Sequence, residues 1–316
     1  MLGSYMERNL ALEFVRVTEA AAIAAAKWMG KGDKIAADKA AVDAMRSRFN
    51  SVDFSGEVVI GEGEKDKAPL LYIGEKIGTG KGHALDIAVD PLECTSNLAN
   101  GKPNAITVLA AGPKGTLLKA PGTYMDQLCV GAKAKGTIDI TKDVKTNLKN
   151  IAKGLGKPLS DVVVCVLDRP RHEKLIKDIR AAGVRIRLIE HGTVSGGVAA
   201  ALPDSGIDVM MGIGGAPEGV ITAAAIRCLG GDMQGILKPH EEKFSRQAKA
   251  MGLKENQVFK LNDLVKTNEC QFVATGVSDG PLLKGVVFQN SHIVTHSIVM
   301  RAKSGTVRFI EAIHRN

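Results

Sequence analysis

Aromatic residues are scarce in this sequence: they make up 4% of its 316 residues, and Trp28 is the only tryptophan. Proteins that bind nucleic acid usually stack bases on aromatic side chains or cluster lysine and arginine on one surface. Here the net charge of +8 comes from basic residues scattered along the chain. The composition therefore argues against a nucleic acid as partner, whereas a basic surface suits a small, highly anionic substrate.

Cysteines are few, odd in number and widely spaced, and no CxxC pair occurs among Cys94, Cys129, Cys165, Cys228 and Cys270. This pattern argues against a disulfide framework and a zinc cluster, and it favours a reducing compartment. No apolar run has transmembrane length, and the N-terminus lacks the basic-then-apolar order of a signal peptide. We therefore expect a cytoplasmic protein with no membrane partner.

The sequence has no internal repeat and no low-complexity tract, and 45% of its residues are hydrophobic. Such a chain buries a sizeable core, and its length suggests two α/β lobes or one large one. Glycines and a proline interrupt the pattern at residues 154–158. The predicted domains are therefore residues 6–156 and residues 157–316.

Hydrophobic periodicity predicts the secondary structure of both halves. The first half has a predicted helix at residues 10–29, a second that residues 33–38 lead into and that runs through residue 50, and a third at 143–155, and it has predicted strands at 57–60, 105–111, 116–118 and 137–140. In the second half, strands at 162–167, 184–189 and 207–211 alternate with helices at 173–182, 195–202 and 220–229. Residues 244–264 are predicted to be helical, and antiparallel strands are predicted after residue 271. The alternation implies a largely parallel sheet in this half.

Residues 86–95 form the stretch around which the chain is organised. An apolar run of strand length is predicted to turn sharply at Asp90-Pro91, which places Asp90 and Glu93 at the carboxyl edge of the strand. The amides of Glu93, Cys94 and Thr95 then point from the start of the next element. Carboxylates hold a hard cation and a helix N-terminus attracts an anion, so this edge suits a metal and a phosphate together. An ordinary strand-to-helix turn with an acidic cap is the alternative.

A second acidic segment follows the strand at residues 57–60, where Glu62, Glu64 and Asp66 lie within five residues of each other. These carboxylates would repel one another unless a cation or solvent screens them, so either a metal site or a flexible solvated turn is indicated. Upstream, Lys34 and Asp38 are neighbours one helical turn apart. They form either a surface ion pair or two groups that face one cleft.

In the second half, polar side chains follow three successive strands: Arg169 and Arg171, then His191 and Thr193, then Glu218. Active sites in such sheets lie beyond the carboxyl ends of the strands, so these side chains are expected to converge. Arginine forks there suit a phosphate that does not react.

These motifs together resemble class II fructose-1,6-bisphosphatase, the bacterial branch of the lithium-sensitive, metal-dependent phosphomonoesterases. The resemblance runs from about residue 10 to residue 314, and it is carried by Gly61-Glu62-Gly63-Glu64 with Asp66, Asp90-Pro91-Leu92-Glu93-x-Thr95, Arg169-Pro170-Arg171-His172 and Gly214-Gly215-Ala216-Pro217-Glu218-Gly219. It implies an α/β fold of two lobes in a layered α-β-α-β-α sandwich of the sugar phosphatase type. It also implies hydrolysis of the 1-phosphate of fructose 1,6-bisphosphate in gluconeogenesis, with Mg²⁺ or Mn²⁺ as cofactor.

The resemblance assigns roles to individual residues. It makes the N-terminal domain the metal and phosphate lobe and the C-terminal domain the sugar-binding lobe, and it implies a homodimer or homotetramer. The implied metal ligands are Asp38 and Glu62 for one ion, and Asp90, Glu93 and Glu218 for another. The expected catalytic residues are Thr95, Asp66, Glu64 and Lys34. Contacts with the sugar bisphosphate are expected from Glu93, Cys94, Thr95, Tyr124, Arg169, Pro170, Arg171, His191, Gly192, Thr193 and Gly215.

The chemistry of the residues agrees with this assignment without the analogy. Metals neutralise the charge that develops on a phosphoryl group and lower the pKa of a bound water, which then attacks in line. Glu62, Glu64 and Asp66 are placed to orient that water. Thr95 is expected either to assist proton transfer or to bind the phosphate.

The sequence departs from the family at three positions: members usually carry glycine at Cys94 and acidic residues at His191 and Thr193. A cysteine beside the phosphate would reduce activity, or confer sensitivity to oxidation if the helix N-terminus lowers the thiol pKa. Alternatively, φ is negative there and the cysteine is merely tolerated. The loss of two acceptors at residues 191 and 193 would weaken hydroxyl recognition or change the preferred sugar bisphosphate. Two alternatives therefore stay open: an enzyme that also accepts sedoheptulose 1,7-bisphosphate, and a catalytically impaired relative that binds sugar phosphates.

Overall fold

A computed structural model describes residues 3–63, 70–254 and 256–315, with side chains from residue 10 onward. The helices are α1 Gly3–Ala26, α2 Lys34–Phe49, α3 Thr95–Ala99, α4 Val144–Leu155, α5 Glu173–Ala181, α6 Thr193–Ala201, α7 Ala216–Cys228, α8 Glu242–Ala250 and α9 Leu261–Leu264. The strands are β1 Ser55–Ile60, β2 Lys76–Ile77, β3 Ala84–Glu93, β4 Ile106–Pro113, β5 Tyr124–Val130, β6 Val163–Leu167, β7 Arg185–Ile189, β8 Val209–Gly215, β9 Asp232–Lys238, β10 Val258–Lys260, β11 Gln271–Gly276, β12 Val287–Phe288, β13 His292–Arg301 and β14 Thr306–Arg315. No helix in these ranges is long and apolar enough to cross a membrane.

The chain divides into two compact units. Unit 1 comprises Met1–Leu117 and Thr267–Asn316, and unit 2 comprises Leu118–Lys266. This division differs from the predicted domains, residues 6–156 and 157–316. The glycine at 156 is the left-handed C-cap of α4, inside unit 2. The strands after residue 270 return to unit 1, where β11 pairs with β4.

Unit 1 is built on an eight-stranded sheet. The strands follow the order β2, β1, β3, β4, β11, β13 and β14. The short strand β12 pairs with the same edge of β13 as β11 does. β1 runs parallel to β3, and the other described pairs of this sheet are antiparallel. The rings of Phe14, Phe49 and Phe54 pack with centroids 5.4 to 6.4 Å apart in the core that α1 and α2 form against the sheet. β3 lies between β1 and β4, and its carboxyl end, with Asp90 and Glu93, extends past the last β1 pair at Ala88 and pairs with β4 alone.

Unit 2 contains a six-stranded sheet in the order β10, β9, β5, β8, β6 and β7. β6 is parallel to β7 and β8, but β5 is antiparallel to β8 and β9, and β9 is antiparallel to β10. The prediction of a largely parallel sheet is therefore wrong. Neither β5 nor β9 was predicted, because Asp126 and Gln127 interrupt the apolar pattern of β5 and Gly235 interrupts that of β9.

Two further segments differ from prediction. Residues 137–140 form a loop, because the Asn147 side chain takes the place of a strand partner: its Nδ2 donates to the Asp139 carbonyl and its Oδ1 accepts from the Asp139 N–H, both at 2.8 Å. Residues 116–118 contribute one isolated bridge at Leu117. Residues 244–264 are not one helix, since Gly252 at φ +75° ends α8 and β10 and α9 follow.

Most of the other predicted elements are confirmed. α4 begins where predicted because Asp143 caps it, accepting a hydrogen bond of 2.9 Å from the Thr146 N–H. The α/β class is confirmed as well, since both units combine a mixed sheet with helices packed on it.

Candidate active site

Two carboxyl groups of unit 1 meet at the end of β1. Asp38 lies one turn into α2, after the exposed Lys34, and a hydrogen bond joins its side chain to that of Glu62. Burial raises the pKa of Asp38, and the bond to Glu62 partly opposes this rise. Two carboxyl oxygens in a hydrogen bond share a proton, which is the position that a divalent cation would take.

The turn that carries Glu62 depends on Gly61. A Cβ built on Gly61 would lie 2.0 Å from the Leu71 carbonyl oxygen, so only glycine allows this approach. The Glu62 N–H donates to the same carbonyl at 3.0 Å. The predicted residues Glu64 and Asp66 lie outside the described residues.

The predicted sharp turn at Asp90-Pro91 is wrong, because β3 continues to Glu93. A bulge between Asp90 and Glu93 absorbs one extra residue against β4, and it accommodates Pro91, which has no N–H to give to the ladder. The Leu92 N–H donates to Asp90 Oδ1 at 3.2 Å. The Thr95 hydroxyl, at the start of α3, donates to the Leu92 carbonyl at 2.9 Å, and its oxygen can still accept a second hydrogen bond.

Cys94 occupies the left-handed region at φ +70°, so the interpretation that its φ is negative is wrong. Its side chain is 8% exposed. Burial raises the pKa of the Cys94 thiol strongly, and the negative charges of Glu93 and Asp90 raise it further. The expectation that the helix N-terminus lowers this pKa is also wrong, because burial and two adjacent carboxylates outweigh a helix of five residues.

We therefore expect Cys94 to resist oxidation in the folded protein, since the thiolate is the reactive form. At neutral pH, peroxide should modify it at least about tenfold more slowly than in the unfolded chain. Mass spectrometry of peptides from folded and denatured samples measures both rates. Rapid sulfenic acid formation at Cys94 in the folded sample would contradict the expectation.

In unit 2, arginines gather at the ends of β6 and β8. Arg169 follows β6, and its Nη2 lies 2.8 Å from Nε2 of His191, which follows β7. Arg171 donates through Nε and Nη2 to the Ile213 carbonyl at 3.2 and 3.0 Å, and its guanidinium lies 5.0 Å from the centre of the Tyr124 ring. The ends of β6 and β7 therefore supply side chains in contact, Arg169 and His191, while Arg171 lies against the end of β8 and the Tyr124 ring.

The other predicted substrate contacts of unit 2 differ in exposure. Pro170 is exposed in a short turn between Arg169 and His172. Gly192 adopts φ +98° and caps α6, and Thr193 is buried at the first position of that helix. A Cβ on Gly214 would lie 2.6 Å from Cγ2 of Thr193, so this side chain packs against the β8 backbone. Its predicted contact with the sugar stays a prediction.

Glu218 lies in the first turn of α7, folded back over Gly215. A Cβ built on Gly215 would lie 1.7 Å from Glu218 Oε2, so a side chain at this position would displace the carboxylate. Glu218 Oε2 is buried, and it has no hydrogen-bond partner in the described part of the chain. Burial raises the pKa of Glu218. A buried carboxylate oxygen without a donor fits a divalent cation as its partner.

His172 ties the arginine segment to β8. It is 1% exposed, its Nδ1 lies 2.8 Å from the Leu167 carbonyl, and its Nε2 accepts the Ile213 N–H at 2.8 Å. These contacts require a neutral ring with the proton on Nδ1. Burial lowers the pKa of His172, against a smaller rise from the Leu167 carbonyl.

This lowered pKa predicts a pH-dependent contribution to stability. As pH falls, His172 is protonated in the unfolded chain near the usual pKa of about 6.5, but in the folded chain only at lower pH. Protonation therefore favours the unfolded chain, and the free energy of unfolding decreases below about pH 6.5. The difference in unfolding free energy between the wild type and His172→Phe should be largest above about pH 6.5 and shrink below it. Urea denaturation at several pH values measures it, and a difference independent of pH would contradict the prediction.

Two further side chains beside these groups were not predicted from the sequence. The His240 ring stacks 4.7 Å from Tyr124, and its Nδ1 lies 3.2 Å from Thr123 Oγ1. Gln127, 1% exposed, donates through Nε2 to the Gly215 carbonyl at 3.0 Å. His240 follows a strand that was not predicted. The only sequence signal for Gln127 was an amide next to the apolar run at residues 128–130.

The described residues form no group of three or more His, Cys, Asp or Glu side chains placed to hold a metal ion. The prediction that Glu218 shares an ion with Asp90 and Glu93 stays a prediction, because these residues belong to different units. The carboxyl pair of Asp38 and Glu62 in unit 1 and the arginines of unit 2 are nevertheless the kinds of side chain that phosphate-ester hydrolysis uses. Such residues on an α/β fold fit a phosphatase.

Comparison with known proteins identifies the family. The profile described as "Bacterial fructose-1,6-bisphosphatase, glpX-encoded" matches residues 8–314. The chain is 50% identical to "Fructose-1,6-bisphosphatase class 2" of Haemophilus influenzae, over 98% of this chain and 97% of that protein. It is 48% identical to "Fructose-1,6-bisphosphatase 1 class 2" of Escherichia coli K12, over 98% of this chain and 96% of that protein. The chain belongs to the bacterial class 2 fructose-1,6-bisphosphatase family, as its motifs predicted.

Proposed function

We propose that this chain hydrolyses the 1-phosphate of fructose 1,6-bisphosphate to give fructose 6-phosphate and phosphate, a step of gluconeogenesis. The observation that carries the proposal is the family match, which spans every residue predicted for the site, from Lys34 to Glu218. The guanidinium groups of Arg169 and Arg171 support it, because a bisphosphate needs a cationic group to hold the phosphate that does not react.

The proposed cofactor is Mg²⁺ or Mn²⁺. Asp38 and Glu62 would hold one ion in place of the proton they share, and Asp90 and Glu93 would hold another. Glu218 would be the carboxylate ligand from unit 2, which its buried oxygen supports. A divalent cation supplies charge neutralisation for the phosphoryl oxygens and a lower pKa for the attacking water.

The remaining roles belong to this chain's own side chains. Thr95 would bind the reacting phosphate or assist proton transfer, and its oxygen is placed to accept a hydrogen bond because the hydroxyl hydrogen is directed to the Leu92 carbonyl. Lys34, Glu64 and Asp66 are proposed to complete the catalytic group. On the sugar side, Arg171 is preorganised by the Tyr124 ring and the Ile213 carbonyl. The proposed contacts also include Cys94, Arg169, Pro170, His191, Gly192, Thr193 and Gly215.

Release of inorganic phosphate from fructose 1,6-bisphosphate tests the proposal. Turnover should require Mg²⁺ or Mn²⁺, stop with chelator and be inhibited by lithium. A protein that binds the sugar phosphate by calorimetry but releases no phosphate at high enzyme concentration would instead be a binding relative.

We also propose a cytoplasmic location and a homodimer or homotetramer. Five free, buried thiols support a reducing compartment. Self-association is supported by β14, at the end of its sheet, which exposes Phe309 (63%) and Ile313 (61%). Analytical ultracentrifugation measures the oligomeric state, and a monomer at micromolar concentration would contradict the assembly.

A further inference from the structure

The peptide unit between Gly215 and Ala216 is held from both sides by the segment 123–127. On one side, Nε2 of Gln127 donates to the Gly215 carbonyl at 3.0 Å. On the other side, the Ala216 N–H donates to the Thr123 carbonyl at 2.7 Å. Because both the carbonyl and the N–H of this peptide are hydrogen-bonded, the orientation of the peptide plane at the start of α7 is fixed.

The orientation of this peptide determines where Glu218 lies. Gly215 is the N-cap of α7 and Glu218 is its third residue, so the carboxylate emerges from the turn that this peptide opens. The carboxylate rests directly on Gly215, whose missing Cβ would lie 1.7 Å from Oε2. Rotation of the Gly215 carbonyl would therefore move the Gly215 backbone that the Glu218 carboxylate contacts.

The packing of Gln127 is unusual for a side chain that only fills space. Cβ atoms built on Gly214 and Gly219 would lie 3.0 and 3.2 Å from its Nε2, so two glycines make room for the amide. Its Oε1 is buried without a hydrogen-bond partner among the described residues. Methionine has nearly the same length and would leave no acceptor unpaired. The hydrogen bond to Gly215 is therefore the contribution that distinguishes glutamine here.

We propose that Gln127 is a positioning residue for a divalent cation at Glu218: through the Gly215 carbonyl it fixes the turn from which Glu218 reaches the ion. The inference rests on the proposed function, because the cation is part of it. Gln127 acts on the ion only through Gly215 and Glu218. Groups that orient a metal ligand in this way typically change metal affinity about 10- to 100-fold when they are removed.

The test is Mn²⁺ binding by the full chain, measured by calorimetry without substrate, in Gln127→Met. We expect the affinity for the ion that Glu218→Ala also weakens to fall at least about tenfold. Turnover at saturating Mn²⁺ should largely recover, because the ligand itself is intact. Mn²⁺ affinity within about twofold of the wild type would overturn the inference.

Gln234→Met is the matched control. Gln234 is also a glutamine of the unit 2 sheet, but its Nε2 donates to the Ile138 carbonyl at 3.0 Å and its Oε1 accepts the Ile140 N–H at 2.8 Å. This variant should lose stability and keep its Mn²⁺ affinity. An equal loss of affinity in both variants would overturn the inference, since general loosening of the sheet would explain it.

Gln127→Glu supplies a second readout that a purely structural role would not change. A buried carboxyl is protonated at low pH and can donate to Gly215, but it loses that proton as pH rises. Its Mn²⁺ affinity relative to the wild type should therefore fall with rising pH, and a constant ratio would overturn the inference.

If the wild type has no metal-dependent phosphatase activity, the proposed function fails. If it is active and Gln127→Met binds Mn²⁺ normally, only the role of Gln127 fails.

Discussion

Asp90→Ala should reduce metal-dependent phosphate release more than about 100-fold. Removal of a group that only orients a metal ligand typically lowers metal affinity or activity about 10- to 100-fold, and removal of the ligand itself should have a larger effect. The bulge of β3 lies between Asp90 and Glu93, which pair with Val108 and Ile106 of β4, and in this proposal both carboxylates hold one ion. Steady-state assays at several Mn²⁺ concentrations, with calorimetric Mn²⁺ titration, measure the effect. Full metal-dependent activity in Asp90→Ala would rule out this ligand assignment.

Asp90 also has a structural contact, so the test needs a variant that keeps it. In Asp90→Asn the side-chain carbonyl can still accept the Leu92 N–H that Asp90 Oδ1 accepts at 3.2 Å. We expect this variant to fold normally and still lose activity. Asp53→Ala is the matched control in unit 1, since this exposed carboxylate precedes β1 and accepts a 2.7 Å bond from Thr79 Oγ1. It should leave turnover unchanged.

The arrangement that the sequence predicted at the strand ends of unit 2 follows from periodicity. The strands β6 and β7 are parallel, and the residues that follow them, Arg169 and His191, are in contact, as expected at the ends of neighbouring parallel strands. The antiparallel partner β5 was missed because Asp126 and Gln127 are polar, and each is accommodated by a tertiary contact that no local pattern contains. The amide of Gln127 has its partner 88 residues away.

The conformation of Cys94 shows a second limit of prediction. A positive φ is expected from glycine, and a cysteine gives no local sign of it. The bulge of β3 and the start of α3 impose φ +70° on this residue. Burial and the charges of Glu93 and Asp90 raise the thiol pKa, and these too are set by the tertiary structure.

Gly215→Ala should lower turnover by about 100-fold with little change in thermal stability. The backbone at Gly215, φ −67° and ψ 141°, is allowed for alanine, so the fold can accept the change. The new Cβ would lie 1.7 Å from Glu218 Oε2, so the carboxylate must move. Turnover and Mn²⁺ affinity should fall together, and a variant with wild-type turnover would contradict the placement of Glu218 in the site.

Two comparisons separate this local effect from a general one. Gly122→Ala is the matched control, because a Cβ there would meet Phe244 at an ordinary 3.8 Å, and we expect no loss of turnover. In a Glu218→Ala background the side chain that Gly215→Ala displaces is already gone. If Gly215→Ala acts by displacing Glu218, the double variant should be only slightly less active than Glu218→Ala alone. If the two substitutions act independently, their losses of activity would multiply. A double variant in which the two losses multiply would therefore place the damage elsewhere in the turn.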